Sequence, residues 1–229
     1  MQYEVTQLVE NVFKFSLFVE KVGLSFNQFL VMSDGKGALI ETGYRQYFPF
    51  LRPKLEEICT ISNISKIIIP HFEGDEMGAL GEFIRINSNI QVYSTPLCAF
   101  SLGDLFSITV HKAQDGQVIK HGNLKLRAIH VPQVHQWDAM VVFEEKTGIL
   151  FSSDMFIQLG DGKGFAEDDL KIEMETAIRK TGYLPSIEHF RNALEKLEHH
   201  KIEIIAPMHG KSINDSVNGY FGFLKELDL

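Results

Sequence analysis

The stretch Lys66-Ile67-Ile68-Ile69-Pro70-His71-Phe72-Glu73-Gly74-Asp75-Glu76 decides how this chain is read. An apolar run of strand type ends at Pro70, and three metal-ligand residue types follow at alternate positions. In an extended backbone side chains repeat every second residue, so His71, Glu73 and Asp75 point the same way. Gly74 allows a sharp bend between them, and helical spacing begins at Met77. A carboxylate just ahead of a helix is commonly a cap or a favourable charge at the positive end of the dipole. A cap needs one acceptor, however, and gives no reason for an imidazole upstream. The alternating His, Glu and Asp therefore predict a mixed nitrogen and oxygen metal site at a strand end.

Further candidates stand in similar places. His135 follows the strand that ends near Val131, Asp154 ends the apolar run Ile149-Leu150-Phe151-Ser152-Ser153, and His209 comes directly after Ile204-Ile205-Ala206-Pro207-Met208. Taken singly, Asp154 reads as a turn residue and His209 as a loop residue. Ligand-type residues at the exits of four strands are a different matter, because a sheet holds loop side chains in fixed relation. Carboxylates and imidazoles without a thiolate suit iron or manganese at least as well as zinc. The remaining histidines carry blander expectations. His111, His121 and His189 lie in polar surroundings and are expected at the surface, while His199 and His200 suit a helix end. His130 is at most a supporting contact of the site. Trp137 is expected as a core anchor, or else as a wall of a ligand pocket.

Composition narrows the class. The chain has 229 residues, 45% apolar and 23% charged, as in an ordinary globular protein. A net charge of −8 argues against nucleic acid as a partner. No run approaches the roughly 20 apolar residues of a membrane span, and Met1-Gln2-Tyr3-Glu4 does not resemble a secretory signal, so a cytoplasmic protein is expected. Cys59 and Cys98 are isolated and are expected to pack as small apolar groups.

The order of elements is partly legible. Phe13, Phe15, Leu17 and Val19 alternate with polar residues as in a half-buried strand, and Asn27 to Met32 and Ala38 to Thr42 follow around the turn Ser33-Asp34-Gly35-Lys36-Gly37. A helix is expected from Pro53 to Thr60, and strands at Leu124 to Ala128, Met140 to Glu145 and Gly148 to Ser152. Ile187, Phe190, Leu194 and Leu197 recur at helical spacing, and Tyr220 to Leu227 closes the chain as a helix. Gly160-Asp161-Gly162-Lys163-Gly164 lacks the spacing of a P-loop and reads as a mobile loop near Asp154.

These motifs together resemble the metallo-β-lactamase superfamily, and within it the iron-binding core of the flavodiiron proteins. The resemblance spans nearly the whole chain. Ser25-Phe26-Asn27-Gln28-Phe29-Leu30 is similar to the family's early Asn-containing strand, and Leu39-Ile40-Glu41-Thr42-Gly43 to its next one. It implies an α+β fold, an αββα sandwich of two mixed sheets with helices outside, as a single domain over residues 1–229. It also implies two iron ions, as Fe2+ or Fe3+. His71, Glu73 and His135 would hold one and Asp75 and His209 the other, with Asp154 bridging. Zinc hydrolases of the superfamily usually carry His where this chain has Glu73. A further His usually follows the Asp, and here that position is Glu76, open to ligation, to a hydrogen bond with water, or to a place at the helix start.

By the same resemblance dioxygen would be the ligand, bound reversibly or as a reduced adduct across metals about 3.5–4 Å apart. Stand-alone members resembling this chain are associated with oxygen sensing in bacterial chemotaxis, which implies a signalling or electron-donor protein as partner. The alternatives are a partner-dependent oxygen or nitric oxide reductase and a zinc hydrolase of the same fold. Full flavodiiron proteins add a flavodoxin-like domain with FMN, and no FMN is expected in this chain.

Overall fold

A computed structural model describes residues 1–228. The first sheet contains β1 (Glu4–Val9), β2 (Val12–Val19), β3 (Leu24–Ser33), β4 (Lys36–Ile40), β5 (Ile64–Ile68), β6 (Gln91–Ser94) and β7 (Val110–Lys112), in that order. Tight hairpins make β1 to β4 antiparallel, and β4 to β7 run parallel. Parallel neighbours need crossovers, which here carry α1 (Phe48–Glu56), α2 (Gly74–Met77), α3 (Leu80–Ile86) and α4 (Pro96–Phe106).

The second sheet is built from β8 (Val118–His121), β9 (Leu124–His130), β10 (Met140–Glu144), β11 (Ile149–Ser153) and β12 (Ile204–Pro207), in the order β12-β11-β10-β9-β8. Its strands are antiparallel except β11 beside β12. The helices α5 (Lys171–Thr181), α6 (Ile187–Leu197) and α7 (Val217–Glu226) cover its outer face.

Three apolar layers follow from the strand period of two. Phe15, Leu17 and Leu30 face outward onto Leu51 and Leu55 of α1, Phe83 of α3 and Leu102 of α4. Phe29, Val31 and Ile40 face inward and meet Leu126, Val142, Ile149 and Phe151 of the second sheet. Phe143 and Leu150 face outward onto Phe190 and Leu194 of α6 and Phe221 of α7. Strands β10 and β11 are buried along their whole length, which is why they read as unbroken apolar runs. The expected αββα sandwich is the fold observed.

Several local expectations need correction. The first helix spans Phe48–Glu56 rather than Pro53 to Thr60, because Phe48, Leu51 and Leu55 form the buried stripe and a proline in the first turn opens it. The sequence reading passed over α4, whose signal is Thr95-Pro96: the Thr95 hydroxyl accepts from the Cys98 amide at 3.3 Å. His121 is buried, its Nε2 within 3.1 Å of the carbonyls of Val31 and Lys36, because β8 folds against the hairpin of β3 and β4. Trp137 is 66% exposed and anchors no core, since it sits in a loop outside both sheets.

The inter-sheet layer turns on Phe29 and Phe151, whose ring centroids lie 5.2 Å apart. Replacing Phe151 by Ala removes a fully buried ring from a layer closed on both sides. Urea unfolding should show a loss of about 3–5 kcal/mol.

Candidate metal centre

All the ligand-type residues singled out in the sequence meet at one edge of the sandwich. His71, Glu73, Asp75 and Glu76 follow β5, His135 lies between β9 and β10, Asp154 leaves β11, and His209 leaves β12. The two sheets are joined at this edge by the Met140 amide, which donates to the Pro70 carbonyl at 3.1 Å. Ser153 has φ +47°, in the left-handed region, and the β11–β12 register slips beside it. Such local strain is kept where the surrounding structure holds it, and here it turns the next side chain, Asp154, out of the strand.

Asp154 is the centre of the geometry. Its Oδ2 lies 2.8 Å from His135 Nε2 and 3.4 Å from His71 Nε2, and its Oδ1 lies 3.3 Å from His209 Nε2. Glu73 Oε2 closes the first group, 3.0 Å from His135 Nε2 and 3.2 Å from His71 Nε2. Asp75 Oδ2 closes the second, 3.4 Å from His209 Nε2. Although it lies 3.3 Å from His209 Nε2, Asp154 Oδ1 makes no hydrogen bond. His209 Nδ1 donates to the Ser25 carbonyl at 2.8 Å, leaving Nε2 as the free nitrogen. His71 Nδ1 lies 3.4 Å from the Ser153 hydroxyl.

Glu76 is wholly buried, with Oε1 3.6 Å from His71 Nε2, and neither carboxylate oxygen has a hydrogen-bond partner. It caps no helix amide. Behind it Glu41, also wholly buried, has both oxygens without partners. Burial pushes both carboxyls well above the usual range, and the neighbouring Asp75 and Asp154 push the same way. Glu73 is held far below the range by its hydrogen bonds to His135 and His71. Burial works against ionising Asp154, but the His135 hydrogen bond and the charges of His209 and His71 outweigh it and hold the carboxyl down. Burial likewise opposes a charge on His135, yet Asp154 and Glu73 raise it to about 10.

The donor set fits a pair of cations. Carboxylates buried without partners are costly unless positive charge meets them. Glu76, Asp75 Oδ1 and Asp154 Oδ1 are such groups, and Glu73, Asp75 and Glu76 can bring oxygens within 4.8 Å of one another. His71, Glu73, His135 and Asp154 form a second group of the same compactness.

Other expectations resolve as follows. His130 does not touch the site; its Nε2 lies 2.9 Å from the Ala113 carbonyl. The 160–164 loop is tethered rather than free, its Gly162 carbonyl accepting from Lys14 Nζ and Ser16 Oγ. Residues that sequence reasoning missed are Asp138, Tyr44 and Tyr183. Asp138 joins three segments, accepting from the Phe72 amide at 3.1 Å and, through its carbonyl, from Thr95 Oγ1 at 2.9 Å. Its place three residues after His135 was the one available hint. The Tyr183 ring stands edge-on to His135 at 5.8 Å, and Tyr44 packs on Phe26, which stands edge-on to His209 at 5.3 Å. No spacing in the sequence points to either tyrosine.

An αββα sandwich with a carboxylate and imidazole pocket at one edge is the architecture of the metallo-β-lactamase fold. The chain belongs to the ODP family beta lactamases, whose model matches residues 24–210. It is 24% identical over 213 residues to the type A flavoprotein fprA of Rhodobacter capsulatus, covering 90% of this chain and 49% of that protein. It is 29% identical over 140 residues to the anaerobic nitric oxide reductase flavorubredoxin of an Enterobacter species, covering 59% of this chain and 29% of the relative. The rubredoxin oxygen:oxidoreductase of Desulfovibrio gigas superposes with a TM-score of 0.86 at 20% identity, over 97% of this chain and 61% of the other. The chain spans between 24% and 51% of the length of such curated relatives. Among the described residues no helix is long and apolar enough to cross a membrane.

Two outcomes test the site. Replacing Asp154 by Ala should abolish binding of both metals, because its two oxygens face the two ligand groups; a full complement by elemental analysis would mean the centre is assigned wrongly. Metal affinity should also rise with pH from 6 toward about 10, since His135 carries a proton until then and must lose it to bind. Chelator competition should show about a tenfold gain per pH unit for each proton displaced.

Proposed function

We propose that the chain is a non-haem di-iron protein that binds dioxygen and reduces it with electrons from a separate donor protein. The observation that carries this reading is the Asp154 carboxylate, with one oxygen toward His71 and His135 and the other toward His209. His71, Glu73 and His135 would hold one iron, Asp75 and His209 the other, and Asp154 would bridge them. The oxygen-rich donor set, with no thiolate in it, favours iron over a soft metal. Held there, a pair of irons would supply redox electrons for a small diatomic ligand.

The side chains prepare the pocket for that chemistry. The Ser25 carbonyl fixes the His209 tautomer, and Asp138 holds the Phe72 amide next to His71. The rings of Tyr183 and Phe26 stand edge-on to His135 and His209 and give the two histidine ends aromatic walls. The names of the relatives, a flavorubredoxin and a rubredoxin oxygen:oxidoreductase, support an external electron supply and leave nitric oxide as an alternative substrate. A second reading, binding without rapid turnover in the service of oxygen sensing, is favoured by Glu76. Added to Glu73, Asp75 and Asp154, this wholly buried fourth carboxylate would favour the higher oxidation state of two cations held there.

Protein loaded anaerobically with Fe2+ should hold two irons per chain and consume dioxygen on mixing in a stopped-flow cell. Many turnovers with a supplied reductant, read by an oxygen electrode, are expected of the reductase. Uptake of one dioxygen per chain with no further consumption would move the reading to the sensor. Zinc alone in protein made without added metal, together with no oxygen uptake, would overturn both.

A further inference from the structure

The inner face of the first sheet is apolar along most of its length, yet at the metal edge it carries Lys14, Ser16 and Asn27. Lys14 is 0% exposed, and its amine meets no carboxylate. Its Nζ donates to the carbonyls of Gly162 at 2.5 Å, Gly210 at 3.0 Å and Gly164 at 3.3 Å, and to Ser212 Oγ at 3.3 Å. These acceptors belong to two loops of the other half of the molecule, one after Asp154 and one after His209. A buried amine with this many acceptors from separate segments has a large desolvation cost and offers no surface charge in return. That is the pattern of a pin.

The pinned loop is the one that aims His209. The Gly210 carbonyl, one peptide beyond His209, accepts from Lys14 and also from Asn27 Nδ2 at 2.8 Å. Ser25 Oγ accepts from the Gly210 amide at 3.0 Å, and the Asn27 amide donates to the Met208 carbonyl at 2.9 Å. The Asn27 amide group also donates to the Pro207 carbonyl at 2.8 Å. The fit is close: Gly210 has φ +108°, and a Cβ on Gly162 would lie 2.1 Å from Ser25 Oγ and 2.6 Å from the Gly210 carbonyl. Asn27 and Ser25 hold the His209 loop to β3. Lys14 adds the link to the 162–164 loop, which otherwise meets it through the Ser212 amide on the Gly164 carbonyl. Burial pulls the Lys14 pKa down to about 7, while Asp161 raises it. A charged amine has three N–H donors and a neutral one two, so part of the pin persists on either side of that value.

We propose that Lys14 is a positioning residue for the His209 half of the metal centre: by tying the 162–164 loop to the loop after β12 it fixes the direction of His209 Nε2. The inference rests on the two-metal reading above. Lys14 is tied to the loop after His209 and to the loop after the shared Asp154, so the His71 group has no tie to Lys14 of its own. His71, Glu73 and His135 are carried by segments that accept no hydrogen bond from its amine.

The test is a titration of the full-length, metal-stripped protein with Co2+ alone, following absorbance and heat at each site. The unaltered protein should take two ions per chain. Lys14→Met should keep the first within about threefold and weaken the second by about 10–100-fold, the range for an outer support of a metal ligand. Ser212→Ala, which removes one contact and leaves the amine, should weaken the second site alone by about two- to tenfold, the worth of one hydrogen bond. If Lys14→Met does not fold, Ser212→Ala decides by itself. Equal weakening of both sites, or an unchanged second site, overturns the positioning role. Failure of the unaltered protein to bind two ions would instead sink the two-metal reading on which it rests.

Discussion

One carboxylate set between two groups of candidate ligands is the constraint on which the rest of this structure depends. Asp154 must present one oxygen to His71 and His135 and the other to His209, and these histidines leave strands of different sheets. That geometry holds only if the two sheets keep a fixed offset at this edge. The apolar layer between them fixes their separation, and the Met140 amide on the Pro70 carbonyl fixes their relative height. The left-handed backbone at Ser153 is the local cost of turning Asp154 inward, and it is tolerated because the Met208 amide donates to the Ser153 carbonyl at 2.9 Å.

The charge distribution gives the site its character. Glu41, Asp75, Glu76 and Asp154 are buried within one region, with Glu73 at its half-open edge. Opposing forces set their protonation. Hydrogen bonds from imidazoles hold Glu73 and Asp154 ionised, while burial and mutual repulsion hold protons on Glu41 and Glu76. The pocket thus contains carboxylates ready to bind cations beside carboxyls that yield their protons only when positive charge arrives. Glu76 lies in the first turn of α2, but its oxygens cap no amide.

Polar groups also serve at the seam between the halves. An apolar sandwich would hold its sheets together without specifying the path of the loops at its edge. Lys14, Ser16 and Asn27 replace apolar contact with directed hydrogen bonds to carbonyls, and carbonyl positions are backbone positions. The loop from residue 160 to 164 reads as free from its glycines. In the fold it is Gly162 that allows the loop to lie against the opposite sheet, since a Cβ there would meet Ser25 Oγ.

The sequence by itself determined the class of the fold and which residue types gather at its metal edge. His71, Glu73, Asp75, His135, Asp154 and His209 are legible because each follows an apolar run, and strand exits are where a sheet can hold reactive groups. The strands β3, β10 and β11 and the helix α6 are legible because burial on one face or two leaves a period or an unbroken run. Only the tertiary structure decided which oxygen of Asp154 faces which histidine, that Glu76 is buried without a partner, and that Lys14 and Asp138 hold the loops. Those facts depend on segments distant in the chain meeting at one edge, as Phe72 meets Asp138 and Lys14 meets Gly162. Local spacing cannot carry them, because a side chain's partner across a sandwich is set by how two sheets pack and not by its neighbours along the chain.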